Sequence, residues 1–299
     1  MSSTESSHSK TAISLENKKG TRGRRSVSLD NIKETTMKIL LTGYKNALMK
    51  ECATNLKSKF SITVQDEKKL DEFEKVRELF AKNQFDVVVF FAMGHSALEF
   101  FRSVQYSSIV GGVKKILLIS DPEDFDLAHD IEDAGDDDHS LEVPTQKGGL
   151  EKYLLSLLAS KDKLTTTLRV FSLFGNGSAE ELSKAVSKAR KSKKIILERD
   201  KELSLIFIED AVKIIEEFIK NDFEKGFYNV APDYSTSYSE VLKKTKTFLK
   251  KEGVEVATGF KSLESAPTLV ANSEKLISAI GENFKFTSLT SAVNKMLRV

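Results

Sequence analysis

From residue 37 onward, short apolar runs alternate with stretches whose apolar positions recur every three or four residues. Residues 38–43, Lys-Ile-Leu-Leu-Thr-Gly, predict a buried strand that ends in a turn. A helical pattern covers 46–58, a strand 61–65, and an amphipathic helix 69–83. The unbroken apolar run 86–91 is that of a central parallel strand covered on both faces. A helix at 96–108, a strand at 115–120, a helix at 145–160 and a strand at 166–171 follow. The acidic stretch 130–138 reads as a surface loop. After residue 175 the pattern is mixed: helices at 178–192, 209–221, 237–251 and about 287–298, with a strand at 194–198. Strands that alternate with helices predict an α/β fold, a doubly wound parallel sheet built from right-handed crossovers.

Residues 1–36 stand apart, rich in Ser, Thr, Lys and Arg and without apolar periodicity. Such a segment buries too little surface to offset its ordering entropy. It reads foremost as a flexible tail. Ser26 and Ser28, beside Arg24 and Arg25, are candidate phosphorylation sites, because a phosphate next to arginines can create a docking element. The tail is also the candidate contact with a protein partner, and a loose match to a nuclear import signal.

Composition narrows the classes. With 40% apolar and 30% charged residues, the 299-residue chain is expected to bury a core without disulfides or metal. One cysteine, Cys52, cannot form an internal disulfide, so a reducing, cytoplasmic setting is expected, with a nuclear one open from the tail. A net charge of +2 gives no argument for nucleic acid. No apolar run approaches the roughly 20 residues of a membrane span. His129 and His139 flank the acidic run, but its acids lack the ordered offsets of a calcium loop, so no metal is expected.

Ligands of such a sheet bind beyond the carboxyl ends of its strands, and the first turn is the usual phosphate cradle. Here that turn reads Thr42-Gly43-Tyr44-Lys45-Asn46-Ala47-Leu48-Met49, with Gly43 its one glycine. Asn46 could take a left-handed conformation. Met49 would push the helix away or fill the phosphate space. Lys45 could neutralise a phosphate, against the simpler reading of a solvated loop lysine. Asp66 ends the second strand, where an acid commonly holds ribose hydroxyls.

Several segments, in order, resemble the extended short-chain dehydrogenase/reductase family, in its NAD-dependent epimerase/dehydratase branch. Residues 39–43 resemble the opening strand, and 85–92, ending in Ala92, the strand under the adenine side of the cofactor. Residues 168–177 resemble the family's Leu-Arg-x-x-Asn-x-Tyr-Gly-Pro-Gly, which makes Arg169, Ser172 and Asn176 the substrate-side candidates. Residues 207–211, 227–231 and 271–281 resemble its later motifs. The resemblance implies a Rossmann-like domain at 37–175 and a smaller C-terminal α/β substrate-side lobe at 176–299, interleaved with the sheet at about 205–232.

The departures fall on the chemistry. The family's acid/base is the tyrosine of a Tyr-x-x-x-Lys pair, and no tyrosine of this chain has a lysine four residues later. Lys147 keeps the lysine position, and Val143 stands where the tyrosine would be. Ser120 stands near the hydroxyl position, which Asp121 occupies. A valine cannot transfer a proton. The catalytic set is therefore vestigial: Val143, Lys147, Ser120 and Asp121. The expectation is a non-catalytic binding, regulatory or structural subunit. Its rivals are an active nucleotide-sugar epimerase or reductase with displaced groups, and a nucleotide or sugar-nucleotide sensor. NAD(P) is the only cofactor the resemblance offers, with Gly43, Lys45, Asp66, Ala92 and Lys147 as its contacts.

Overall fold

A strand buried along its whole length has both of its faces covered, and four runs of four or more residues, 87–91, 115–120, 165–170 and 227–230, meet that condition. The structure, a computed structural model, describes residues 36–66, 70, 72–92, 98–122, 131–134, 164–281 and 283–298. β1 (Lys38–Gly43) leads through α1 (Ala47–Leu56) to β2 (Ser61–Asp66), α2 (Phe73–Lys82), β3 (Val87–Phe91), α3 (Leu98–Val110) and β4 (Lys115–Ser120). Next come β5 (Ile131–Ala134), β6 (Thr165–Val170), β7 (Leu173–Phe174), α4 (Glu181–Ser192), β8 (Lys194–Leu197), β9 (Glu202–Leu203) and β10 (Ile206–Phe207). α5 (Ile208–Lys220), β11 (Phe227–Val230), β12 (Thr236–Ser237), α6 (Tyr238–Lys251), β13 (Ala257–Phe260), β14 (Leu269–Ala271), α7 (Glu274–Ile280) and α8 (Leu289–Leu297) follow.

Six strands form one parallel sheet in the order β11-β6-β4-β3-β1-β2. Side chains alternate across it with the strand period of two. Ile39, Leu41, Val87, Val89 and Phe91 pack into one core with Leu48 and Cys52 of α1 and Ile215 of α5. Leu40, Val88, Phe90, Ile116 and Leu118 pack into the other, with Val76 and Phe80 of α2 and Phe101 and Val104 of α3. Helices thus cover both faces, giving the doubly wound, Rossmann-like α/β arrangement expected from the sequence. Burial pushes the Cys52 thiol up, as befits a small core residue.

The acidic stretch corrects one expectation. Part of it is a strand, β5, whose Ile131 pairs with Leu269 of β14 in a second sheet ordered β12-β9-β14-β5. A distant partner, rather than local apolar pattern, defines that strand. Two further strand pairs, β10-β7 and β13-β8, complete the described sheets. The tail with Ser26 and Ser28, the helix expected at 145–160, Val143, Lys147, His129 and His139 lie outside the described residues.

Four charged residues lie inside the described fold, Lys115, Arg169, Asp210 and Glu216, and the first of them closes a helix. Lys115 is buried at the start of β4, and its Nζ donates to the carbonyls of Phe218 (2.9 Å), Ile219 (3.4 Å) and Asn221 (2.5 Å). It also sits 3.0 Å from Asp222 Oδ1. These carbonyls close α5, so a lysine supplies the donors that the helix end lacks. The sequence reading placed Lys115 in the strand 115–120 and assigned it no role.

Candidate functional site

In the described sheet β1 has β2 on one side and β3 on the other, so the strand order reverses at β1/β3. A ligand crevice belongs beyond the carboxyl ends of those two strands. The residues found there are Thr42, Gly43 and the turn to Asn46, with Phe91 and Ala92 across from them.

Gly43 has φ +101, and a Cβ built on it would lie 2.4 Å from the Phe91 carbonyl oxygen and 2.8 Å from the Phe91 nitrogen. The next amide, Tyr44 N–H, donates to that same oxygen at 2.8 Å. Gly43 is therefore required by the approach of two strands, whether or not a ligand binds. Asn46 is not left-handed, as the sequence suggested. It is extended (φ −130) and caps α1, its Oδ1 accepting the Met49 N–H at 2.8 Å. An asparagine directly before a helix is a standard cap signal, so this role was available in the sequence. The cap occupies one of the backbone donors that a helix start otherwise offers to phosphate. Met49, expected to push the helix away or fill the phosphate space, is a core residue of α1. Its side chain is buried in the core beside Leu48 and Cys52.

The other candidates are placed as follows. Lys45 is exposed, in an open cleft of about 610 Å³ that Asn46, Lys50, Asn176 and Gly177 also line. Asp66 ends β2 directly opposite Gly43 in the register. Ala92 is buried at the end of β3, its N–H donating to the Ile119 carbonyl. Ser120 ends β4, paired in register with Arg169 of β6. Asp121 follows it, half-buried. Arg169 is fully buried, donates from Nη1 to Asn229 Oδ1 at 3.0 Å, and stacks 5.3 Å from the Phe227 ring. Ser172 is half-buried, and its carbonyl accepts the Ile206 N–H. Asn176 donates to the Met296 carbonyl at 3.4 Å, which brings the turn after β7 onto α8. Gly43, Lys45, Asp66, Ala92 and Asn176 are thus gathered near the first turn, while Arg169 ties strands together.

Three polar atoms at this end of the sheet have no hydrogen-bond partner although buried: Thr42 Oγ1, Asn46 Nδ2 and Ser120 Oγ. No sequence signal marked Thr42. An unsatisfied buried group costs about 1–3 kcal/mol, so each of them is a place for a bridging water.

The residues fit a dinucleotide only in part. Asp66, opposite Gly43 in the register, and small Ala92 stand at the strand ends where an adenosine end would lie. The capped helix start and the single glycine do not suit a closely cradled pyrophosphate. The Tyr228 hydroxyl donates to the Glu224 carbonyl. Burial, then Asp210 and Asp233, raise the Tyr234 phenol, and burial, then Glu180 and Glu181, raise that of Tyr238. Asp210 itself accepts from the Thr287 N–H and hydroxyl and from Lys213, so it fastens the segment before α8 to α5. Among the described residues no three His, Cys, Asp or Glu side chains gather as metal ligands. No helix among them is long and apolar enough to cross a membrane.

No protein-family model and no curated protein sequence matches the chain. Solved structures do. The dTDP-4-dehydrorhamnose reductase of Bacillus anthracis, in complex with NADP, superposes with TM-score 0.70 at 14% identity, covering 87% of this chain and 98% of that one. An NAD-dependent NDP-hexosamine 5,6-dehydratase of tunicamycin biosynthesis gives 0.68 at 16%, covering 88% and 97%. The ADP-L-glycero-D-manno-heptose-6-epimerase of Helicobacter pylori gives 0.69 at 17%, covering 87% and 95%. Over nearly the full length of those enzymes, the chain has their Rossmann-like α/β fold.

Proposed function

We propose that this chain is a degenerate member of the extended short-chain dehydrogenase/reductase family that acts by binding rather than by turnover, as a regulatory or structural subunit. One observation carries the proposal: Val143 stands where the ordered motifs require the proton-transferring tyrosine. The structural likeness to nucleotide-sugar reductases, dehydratases and epimerases supports the family side of this reading. The first turn supports the loss of function. Its glycine is used by the β1–β3 approach, its helix start is capped by Asn46, and Met49 belongs to the core. The 1–36 tail is the extra contact element in this reading.

A second reading, a sensor that holds a nucleotide or sugar nucleotide without reacting it, is favoured by the unpartnered atoms of Thr42, Asn46 and Ser120. Thermal melting of the full chain with NADH, NADPH and UDP-glucose separates the two. A ligand at a hundred times its Kd stabilises by about 2.7 kcal/mol. For a chain of this size that raises the Tm by roughly 5–10 °C. The subunit reading expects no rise at saturating ligand. A rise of that size without turnover supports the sensor, and turnover overturns both.

A further inference from the structure

We infer that the C-terminal lobe carries a docking groove for an extended acidic peptide of a partner protein, built from the free edge of β13 and three lysines at its start. This does not depend on what the sheet crevice binds.

The β8–β13 pair is a parallel two-stranded sheet, with Ala257 opposite Lys194 and Gly259 opposite Ile196. Ala257 N–H donates to the Lys193 carbonyl, and Lys261 N–H to that of Leu197. Residues in phase with these, 257, 259 and 261, therefore turn their backbone groups toward β8. Thr258 and Phe260 turn theirs outward, where no strand lies among the described residues. Proteins commonly guard such an edge with a charge or a proline. The strand Ala257-Thr258-Gly259-Phe260 has neither. An unguarded edge is a template for an added strand.

Charge decides what kind of strand. At the start of β13 an open cleft of about 570 Å³ is lined by Lys193, Lys246, Lys250, Glu255, Val256 and Ala257. Lys246 and Lys250 are one turn apart on α6 and so share a face. All three lysines are exposed, and none joins an ion pair among the described residues. Lys193 holds a left-handed backbone (φ 53) at the end of α4, where glycine is the usual residue. With one glutamate against three lysines, the cleft complements carboxylates held at the start of β13. Nucleic acid fits less well, because no aromatic side chain lines the cleft for bases to stack on. On the outward face Ile196, 37% exposed, covers Gly259 and offers an apolar contact for alternate residues of the added strand.

The test uses the full chain and a fluorescein-labelled decapeptide of alternating glutamate and valine, followed by anisotropy. The wild type is expected to bind it saturably, and several-fold more weakly when salt rises from about 50 to about 300 mM. Combined Lys193→Glu, Lys246→Glu and Lys250→Glu substitutions are expected to weaken binding at least about tenfold with unchanged circular dichroism. A peptide of the same charge, N-methylated at alternate amides, should bind at least about tenfold more weakly to the wild type, since it cannot pair. Lack of binding by the wild type, equal binding of the N-methylated peptide, insensitivity to the lysine reversals, or tighter binding of oligothymidylate would each overturn the inference.

Discussion

Gly43→Ala is expected to destabilise the protein by about 3–5 kcal/mol, a large share of the stability of an ordinary domain. Two effects add. The backbone at φ +101 is strained for any L side chain, by about 1–3 kcal/mol. The new methyl would also meet the Phe91 carbonyl oxygen at 2.4 Å, a backbone atom of a central strand that cannot swing aside. Relief requires β1 to separate from β3, which breaks the Tyr44 N–H bond to that oxygen. Gly112→Ala is the control. It shares a positive φ (+70) but meets nothing within 4 Å, so its loss should stay near ~1 kcal/mol. Urea midpoints of the two variants check this. Equal losses would show that the close approach of the strands is not what holds this glycine.

The second large effect is expected at Lys115. Replacing a buried ion pair by apolar residues is often neutral, because the desolvation of both charges is recovered. Lys115 differs, since most of its partners are backbone carbonyls that no substitution can remove. Lys115→Met fills the same space and strands the buried acceptors of Phe218 and Ile219, while the carbonyl of exposed Asn221 can turn to water, so a loss of about 1–3 kcal/mol is expected. Asp222 is the lesser partner, being 90% exposed, and Asp222→Asn should cost under about 1 kcal/mol. Denaturant unfolding of both variants decides the matter. A larger loss at Asp222 than at Lys115 would make the interaction an ion pair and not a helix cap.

The legible parts of this fold were those fixed by local pattern. β1, β3, β4 and β6 were readable because burial on both faces leaves mostly apolar or small side chains in the strand, with Lys115 and Arg169 as the charged exceptions. Helices such as α5 were readable from their apolar stripe. β5 was not, because its residues Ile-Glu-Asp-Ala carry no strand signal and pairing with β14 alone makes them a strand. The two-residue strands β7, β9, β10 and β12 are likewise products of tertiary contact. At the site, the turn's position and its single glycine were readable, but what that glycine serves was not. A glycine in a degraded phosphate loop looks like a remnant, whereas its geometry is demanded by Phe91. Met49 shows the converse, a residue that the sequence placed at the phosphate side and that belongs to the core. Replacing it by glycine would therefore remove core packing at the same time as it opened the turn.

Loss of proton transfer at position 143 is tested most directly by turnover. The full wild-type chain is mixed with NADPH or NADH and a 4-keto nucleotide sugar, or with NADP+ or NAD+ and an intact nucleotide sugar, and oxidation of the former nicotinamide or reduction of the latter is followed over time. The account predicts a rate no greater than that of buffer alone. Saturable wild-type turnover that disappears in Lys147→Ala would contradict it, since the chain would then move protons and hydride without the missing phenol.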